Sequence, residues 1–202
     1  MIMATAHDAP TTFAEVLWPA HGMARPLRAL LLVIAGSALL TLSAKIEVPF
    51  YPVPMTMQTL VVLLLGMAFG ARLAAATVLL YLAEGALGLP VFAGTPERGI
   101  GLAYMLGPTG GYLVGFVLAA ALVGWLTERR RDLLSLVLAS VAGTVAIFLP
   151  GVLWLSHLIG FEQGIVHGLM PFLWGALVKG GIAVGLGVAG AAVIRRRLLD
   201  QP

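Results

Sequence analysis

Lys179 is the residue with the most chemistry to explain. It lies in "PFLWGALVKGGIAVGLGVAGAAVI", residues 171–194, a run with no other charge. At 1.5 Å per residue it stands roughly 12 Å from the start of that run. An ammonium group buried in an apolar span is costly unless it meets water or a counter-charge. The same run offers no acidic residue, so an anionic ligand such as a carboxylate could supply the charge. Snorkelling of the lysine stem toward a polar surface is the competing reading.

Other polar groups stand at the ends of apolar runs. Thr56 and Gln58 sit in "YPVPMTMQTL", residues 51–60, where two prolines precede a hydroxyl, two thioethers and a carboxamide. Their polar atoms could reach a ligand or the adjoining loop, and the methionines suit a soft pocket wall. Glu84, in "YLAEGALGLP", is either an interfacial residue or an acceptor for ligand N–H groups. Arg98, in "GTPERGIG", is either solvated beside Glu97 or a lid residue closing over an anion. Tyr112, in "GPTGGYLVGF", faces headgroups or a cavity. Gly110, Gly111 and Gly115 around it point to close helix packing.

Catalysis has no support in the sequence. Cysteine is absent, which removes disulfides, thiolate metal sites and cysteine nucleophiles. The four histidines, at 7, 21, 157 and 167, are dispersed, so no metal site is expected. No GxSxG, HExxH or P-loop pattern occurs.

Elements that could hold these groups must sit in lipid. The 202 residues are 60% hydrophobic and 10% charged. Soluble domains have about 45–50% apolar and about 25% charged residues, and the mean hydropathy here is +1.01. The formal charge of +3 does not mark a nucleic-acid partner, because the basic residues flank apolar runs. Residues 1–27 read as a cytoplasmic arm without a signal-peptide pattern. Phe13, Leu17 and Trp18 there could share one face of a short interfacial helix.

Six spans are expected in a transmembrane domain over residues 28–197, followed by a cytoplasmic tail, 198–202. They cover Arg28–Ala44, Met55–Phe69, Leu73–Leu87, Pro108–Leu126, Leu133–Leu158 and Pro171–Ile194. The second and third look short, and Pro150-Gly151 should bend or break the fifth. With six spans, nine of the twelve Lys and Arg residues fall on one side: Arg25, Arg28, Arg72, Arg129–Arg131 and Arg195–Arg197. The positive-inside rule then puts both termini in the cytoplasm. The longer connections, Lys45–Pro54, Gly88–Gly107 and Ser156–Met170, fall on the outer side, where ligand entry is expected. The chain lacks an internal repeat, which weighs against an inverted-repeat transporter.

Four segments together resemble one family: "PVPMTMQTLVVLLLG" (53–66), "GLPVFAG" (88–94), "GPTGGYLVGF" (107–116) and "PFLWGALVK" (171–179). They are similar to BioY, the biotin-binding S-component of energy-coupling factor (ECF) vitamin transporters, from about residue 28 onward. The resemblance implies an all-α, six-helix S-component fold with a biotin pocket near the outer face of a bacterial inner membrane. It also implies an ECF transmembrane coupling protein and two cytoplasmic ATPases as partners. Biotin would then be cargo rather than cofactor, and no cofactor is expected. Lys179 matches the lysine of the family's last-helix motif and would meet a polar end of the ligand. Thr56, Gln58, Glu84 and Tyr112 are candidates for the ureido group, and Arg98 for the lid. The family often carries an acidic residue three before that lysine, where this chain has Ala176. Alternatives are an S-component for another small anionic vitamin, a self-sufficient homo-oligomeric biotin transporter, and an intramembrane enzyme or assembly factor.

Overall fold

The structure is a computed structural model that describes residues 24–199 together with Thr12 and Ala14. The segment expected around Phe13, Leu17 and Trp18 lies outside the described residues. The chain runs α1 (Arg25–Ala44), β1 (Glu47–Val48), β2 (Met55–Thr56), α2 (Gln58–Phe69), α3 (Ala71–Ala86), α4 (Gly101–Met105), α5 (Gly110–Arg129), α6 (Leu133–Ile159) and α7 (Phe161–Gly168). A 3-10 turn, Met170–Phe172, leads into α8 (Leu173–Leu199).

Lipid is the solvent that this architecture requires. Along α6 the exposed side chains Leu134, Leu138, Val141, Val145, Leu149 and Leu153 recur every three or four residues. Leu136, Ala139, Ser140, Gly143, Ile147, Gly151 and Leu155 form the buried stripe opposite. Both stripes are thus almost wholly apolar, and water would not tolerate the outer one. Helices α1, α5 and α6, and the stretch Phe161–Arg196, are long and apolar enough to cross a membrane. The chain is a multi-pass membrane protein. The 12 residues of α2 and the 16 of α3 span about 18 and 24 Å, short of a hydrocarbon core of about 30 Å.

Several span limits differ from the sequence reading, and the break considered at Pro150 is absent. α1 begins at Arg25, because Pro26 occupies its first turn, where a missing N–H costs nothing. The span expected from Met55 is helical only from Gln58. Met55 and Thr56 instead pair antiparallel with Val48 and Glu47. Pro52 and Pro54 favour extended backbone just before them, and the hairpin continues it. Pro150 does not interrupt α6, which is continuous through it. Neighbouring helices support a proline inside a membrane helix better than water does. At the next position, a Cβ on Gly151 would collide with the Tyr112 ring.

The α5–α6 seam is the tightest part of the bundle. A Cβ on Gly115 would lie 2.7 Å from the Ile147 backbone, and one on Gly111 would strike the Pro150 carbonyl oxygen and Trp154. A short turn joins the two helices, and Asp132 caps α6 by accepting from the Ser135 N–H and hydroxyl at 3.3 and 2.7 Å. Those bonds hold the Asp132 carboxyl below its usual pKa. At the same end of the bundle, Glu128 accepts from the N–H of Ala71 at 2.9 Å. Gly124 packs against the Gly70–Ala71 backbone there. The long connections 45–57, 87–109 and 160–172 gather at the opposite end and carry the hairpin, α4 and α7.

Candidate ligand-binding site

A cavity lies under those long connections. It holds about 570 Å³ of empty space, counting the part open to solvent. One wall comes from the hairpin, the start of α2 and α8: Val53, Pro54, Thr56, Gln58, Thr59, Ala176 and Lys179. The other comes from α5 and α6, through Tyr112, Leu113, Phe116, Ile147 and Phe148. Ala93, Tyr104, Thr109 and Phe172 close it from the connections. A mostly apolar chamber with a few placed polar groups is the usual form of a small-molecule site.

Lys179 enters this cavity two turns into α8 and is 9% exposed. Its ammonium donates to the Thr56 carbonyl oxygen at 2.8 Å. Among the described residues it has no carboxylate partner. The two residues are 123 positions apart in the sequence. Gly175 lets α8 approach the hairpin, since a Cβ there would stand 2.9 Å from the Met55 sulfur. One turn before the lysine, Ala176 presents only a methyl group to the cavity.

Thr56 and Gln58 are coupled. The Gln58 N–H donates to the Thr56 hydroxyl oxygen at 3.2 Å, which ties the strand to the helix start. The Gln58 carboxamide donates to the Tyr81 hydroxyl at 2.7 Å. Tyr81 in turn donates to the Val91 carbonyl oxygen at 3.2 Å. This chain of bonds runs from the cavity wall through α3 to the 87–109 connection. Phe92 extends it by packing edge-on to Tyr81 and stacking on Tyr104, with ring centroids 5.4 and 4.8 Å apart. Burial raises the Tyr104 pKa, so this phenol stays neutral.

Tyr112 also lines the cavity, but its hydroxyl is turned away and donates to the Gly168 carbonyl oxygen at 2.7 Å. Its ring meets Phe148 and Phe172, with centroids 6.0 and 6.5 Å away. It thereby joins α5, α6 and the turn into α8.

Two expected residues lie elsewhere. Glu84 is not on the cavity wall. It accepts a hydrogen bond from the Ser37 hydroxyl across the α1–α3 contact. Ser37 of α1 faces Glu84 there, so the carboxylate is engaged at the helix–helix contact instead of the cavity. Arg98 is exposed and also off the wall. Its guanidinium donates to the Phe50 carbonyl oxygen at 3.4 and 3.5 Å, linking the two connections above the cavity. Lys45 makes a second link, donating to the Phe92 carbonyl oxygen at 2.9 Å and the Thr95 hydroxyl at 3.0 Å.

Sequence reasoning missed Thr59, Tyr81, Tyr104 and Phe172. Tyr81 had a signal, a phenol in the middle of an apolar span, where an O–H needs a partner. Phe172 had none that separates it from an interfacial aromatic residue. No group of three or more His, Cys, Asp or Glu that could hold a metal occurs among the described residues.

A bundle of apolar helices, capped at one end by folded connections over a single-lysine cavity, defines a small-molecule-binding membrane protein. Its fold is that of an S-component. A crystal structure described as the S-component for biotin from an ECF-type ABC transporter superposes with a TM-score of 0.71. That match covers 90% of this chain and 96% of the other at 23% identity. The BioY family model matches residues 13–196, and the chain belongs to the BioY family. A probable biotin transporter BioY of Pyrococcus horikoshii is 39% identical over 153 residues, which is 76% of this chain and 90% of that protein. The biotin transporter BioY of Thermotoga maritima is 36% identical, covering 73% and 88%. Both relatives are named as transporters rather than enzymes.

Proposed function

We propose that this protein binds biotin in the cavity and mediates its uptake as the S-component of an ECF transporter. The observation that carries this reading is the buried Lys179 ammonium on an otherwise largely apolar cavity wall, without a carboxylate partner among the described residues. Biotin fits that chemistry. Its carboxylate or ureido oxygen meets the ammonium, and its bicyclic ring and aliphatic tail lie against Leu113, Phe116, Ile147 and Phe148. Thr56, Gln58 and Tyr112 border the ligand, and Arg98 acts from the lid. Glu84 instead ties α3 to α1 through Ser37.

The alternation of arginine-rich and long-connection ends supports six spans with both termini in the cytoplasm. In that arrangement α2 and α3 cross as short helices sheltered by their neighbours. The cavity opens to the outer face of a bacterial inner membrane. A transmembrane coupling protein and two cytoplasmic ATPases supply the energy, and the chain brings the ligand to them.

The test is calorimetric titration of the purified, detergent-solubilised protein with biotin. Saturable binding at micromolar concentration or below is expected, and its absence overturns the reading. Biotin uptake in cells lacking any coupling protein would instead favour a self-sufficient transporter.

A further inference from the structure

Thr59 stands apart from the other threonines. On helices of this protein, Thr41, Thr77, Thr127 and Thr144 each donate a hydroxyl to a carbonyl oxygen one turn back, at 2.8 to 3.1 Å. Thr95 donates to the Phe92 carbonyl oxygen, and Thr56 accepts from Gln58. The Thr59 hydroxyl oxygen is buried and has no hydrogen-bond partner among the described residues. Its position explains the lack. Thr59 is the second residue of α2, and the residue one turn back, Met55, belongs to the hairpin strand rather than to the helix. A helical threonine's ordinary partner is therefore missing.

An unpaired buried hydroxyl costs about 1–3 kcal/mol, and this one belongs to a side chain on the cavity wall. The neighbouring polar groups are engaged. The Gln58 carboxamide donates to Tyr81, the Tyr112 hydroxyl to Gly168, and the Lys179 ammonium to Thr56. Thr59 alone among these keeps both a free donor and a free acceptor.

We propose that the Thr59 hydroxyl is a direct contact to the bound ligand and helps set its specificity, an inference that rests on biotin being that ligand. A change between the χ1 wells open to a helical threonine brings the hydroxyl to the cavity surface. There it donates to a ligand oxygen that Lys179 also attracts. Polar recognition on this wall then comes from a neutral hydroxyl and a cation side by side. A pocket that pairs a ligand oxygen in this way rejects analogues lacking it more strongly than an apolar pocket would.

Thr59→Val removes the hydroxyl at nearly constant shape, and Thr59→Ser retains it. Calorimetric titration and thermal melting of wild type and both variants, with and without biotin, form the test. Biotin should bind Thr59→Val roughly tenfold more weakly, the size expected for one buried hydrogen bond, and Thr59→Ser within about threefold of wild type. Without biotin, Thr59→Val should melt no lower than wild type, because the hydroxyl has no partner in the empty protein. Tight wild-type binding with unchanged Thr59→Val affinity overturns this inference alone. A lower melting point for ligand-free Thr59→Val also overturns it, since the hydroxyl would then have a structural partner. No biotin binding by the wild type overturns the proposed function and this inference together.

Discussion

The two walls of the cavity are built on different principles. The α5–α6 wall is a continuation of the tightest helix seam, where Gly111 and Gly115 admit the opposing backbone and Leu113, Phe116 and Ile147 are buried. The opposite wall is assembled from a two-residue strand, the first turn of α2 and one turn of α8. It carries Lys179, Thr56, Gln58 and Thr59, and polar bonds join its parts alongside the close approach at Gly175. We expect the first wall to govern stability and the second to govern what the cavity holds. Separating the two lets the recognising wall adjust its polar groups without unpacking the bundle.

The sharpest way to test that division is Lys179→Ala. Truncating a buried charge contact costs roughly 2–5 kcal/mol, so biotin affinity should fall by about 30-fold or more. Lys45→Ala, which loosens a connection but leaves the cavity wall intact, should weaken binding by less than about tenfold. Equal losses in the two titrations would break the comparison at its strongest point.

Gly115→Val probes the other wall. Placing an isopropyl group, a Cβ and two methyls, against the Ile147 backbone should destabilise the protein by roughly 1–3 kcal/mol. The effect should appear as a lower melting temperature in detergent. An unchanged melting temperature would mean that the seam has slack.

Tyr81→Phe tests the support behind the polar wall. It leaves the Gln58 carboxamide without its partner at a cost of about 1 kcal/mol, so affinity should fall roughly fivefold. An affinity equal to that of the wild type would show that Gln58 needs no positioning. The smallest effect is expected from Glu84→Gln, because Glu84 faces Ser37 and not the cavity. Biotin affinity should stay within about twofold, as for ordinary substitutions away from a site. A tenfold loss would put Glu84 back among the ligand contacts.

The long spans were legible because their physics is local. α6 was expected over Leu133–Leu158 and runs Leu133–Ile159, since an apolar run of that length bounded by Arg129–Arg131 and a glycine has few alternatives. The hairpin was not legible, because two-residue strands have no period to detect. Tyr112 could be read as a cavity residue or a belt residue, and only packing shows its ring on the wall and its hydroxyl on Gly168. Arg98 and Glu84 carry the same kinds of polar group as Thr56 and Gln58, yet neither reaches the cavity.

By itself, the sequence determined the solvent, the helical class, the arginine asymmetry and the presence of one costly lysine. Each follows from the transfer energy of side chains taken one at a time. Tertiary structure decided which polar groups share the cavity and how each is engaged. Lys179 meets Thr56 across 123 positions, and Thr59 is left unpaired because a hairpin stands where a preceding helical turn would be. Such relations depend on the relative placement of distant backbone segments, and no local pattern encodes that placement.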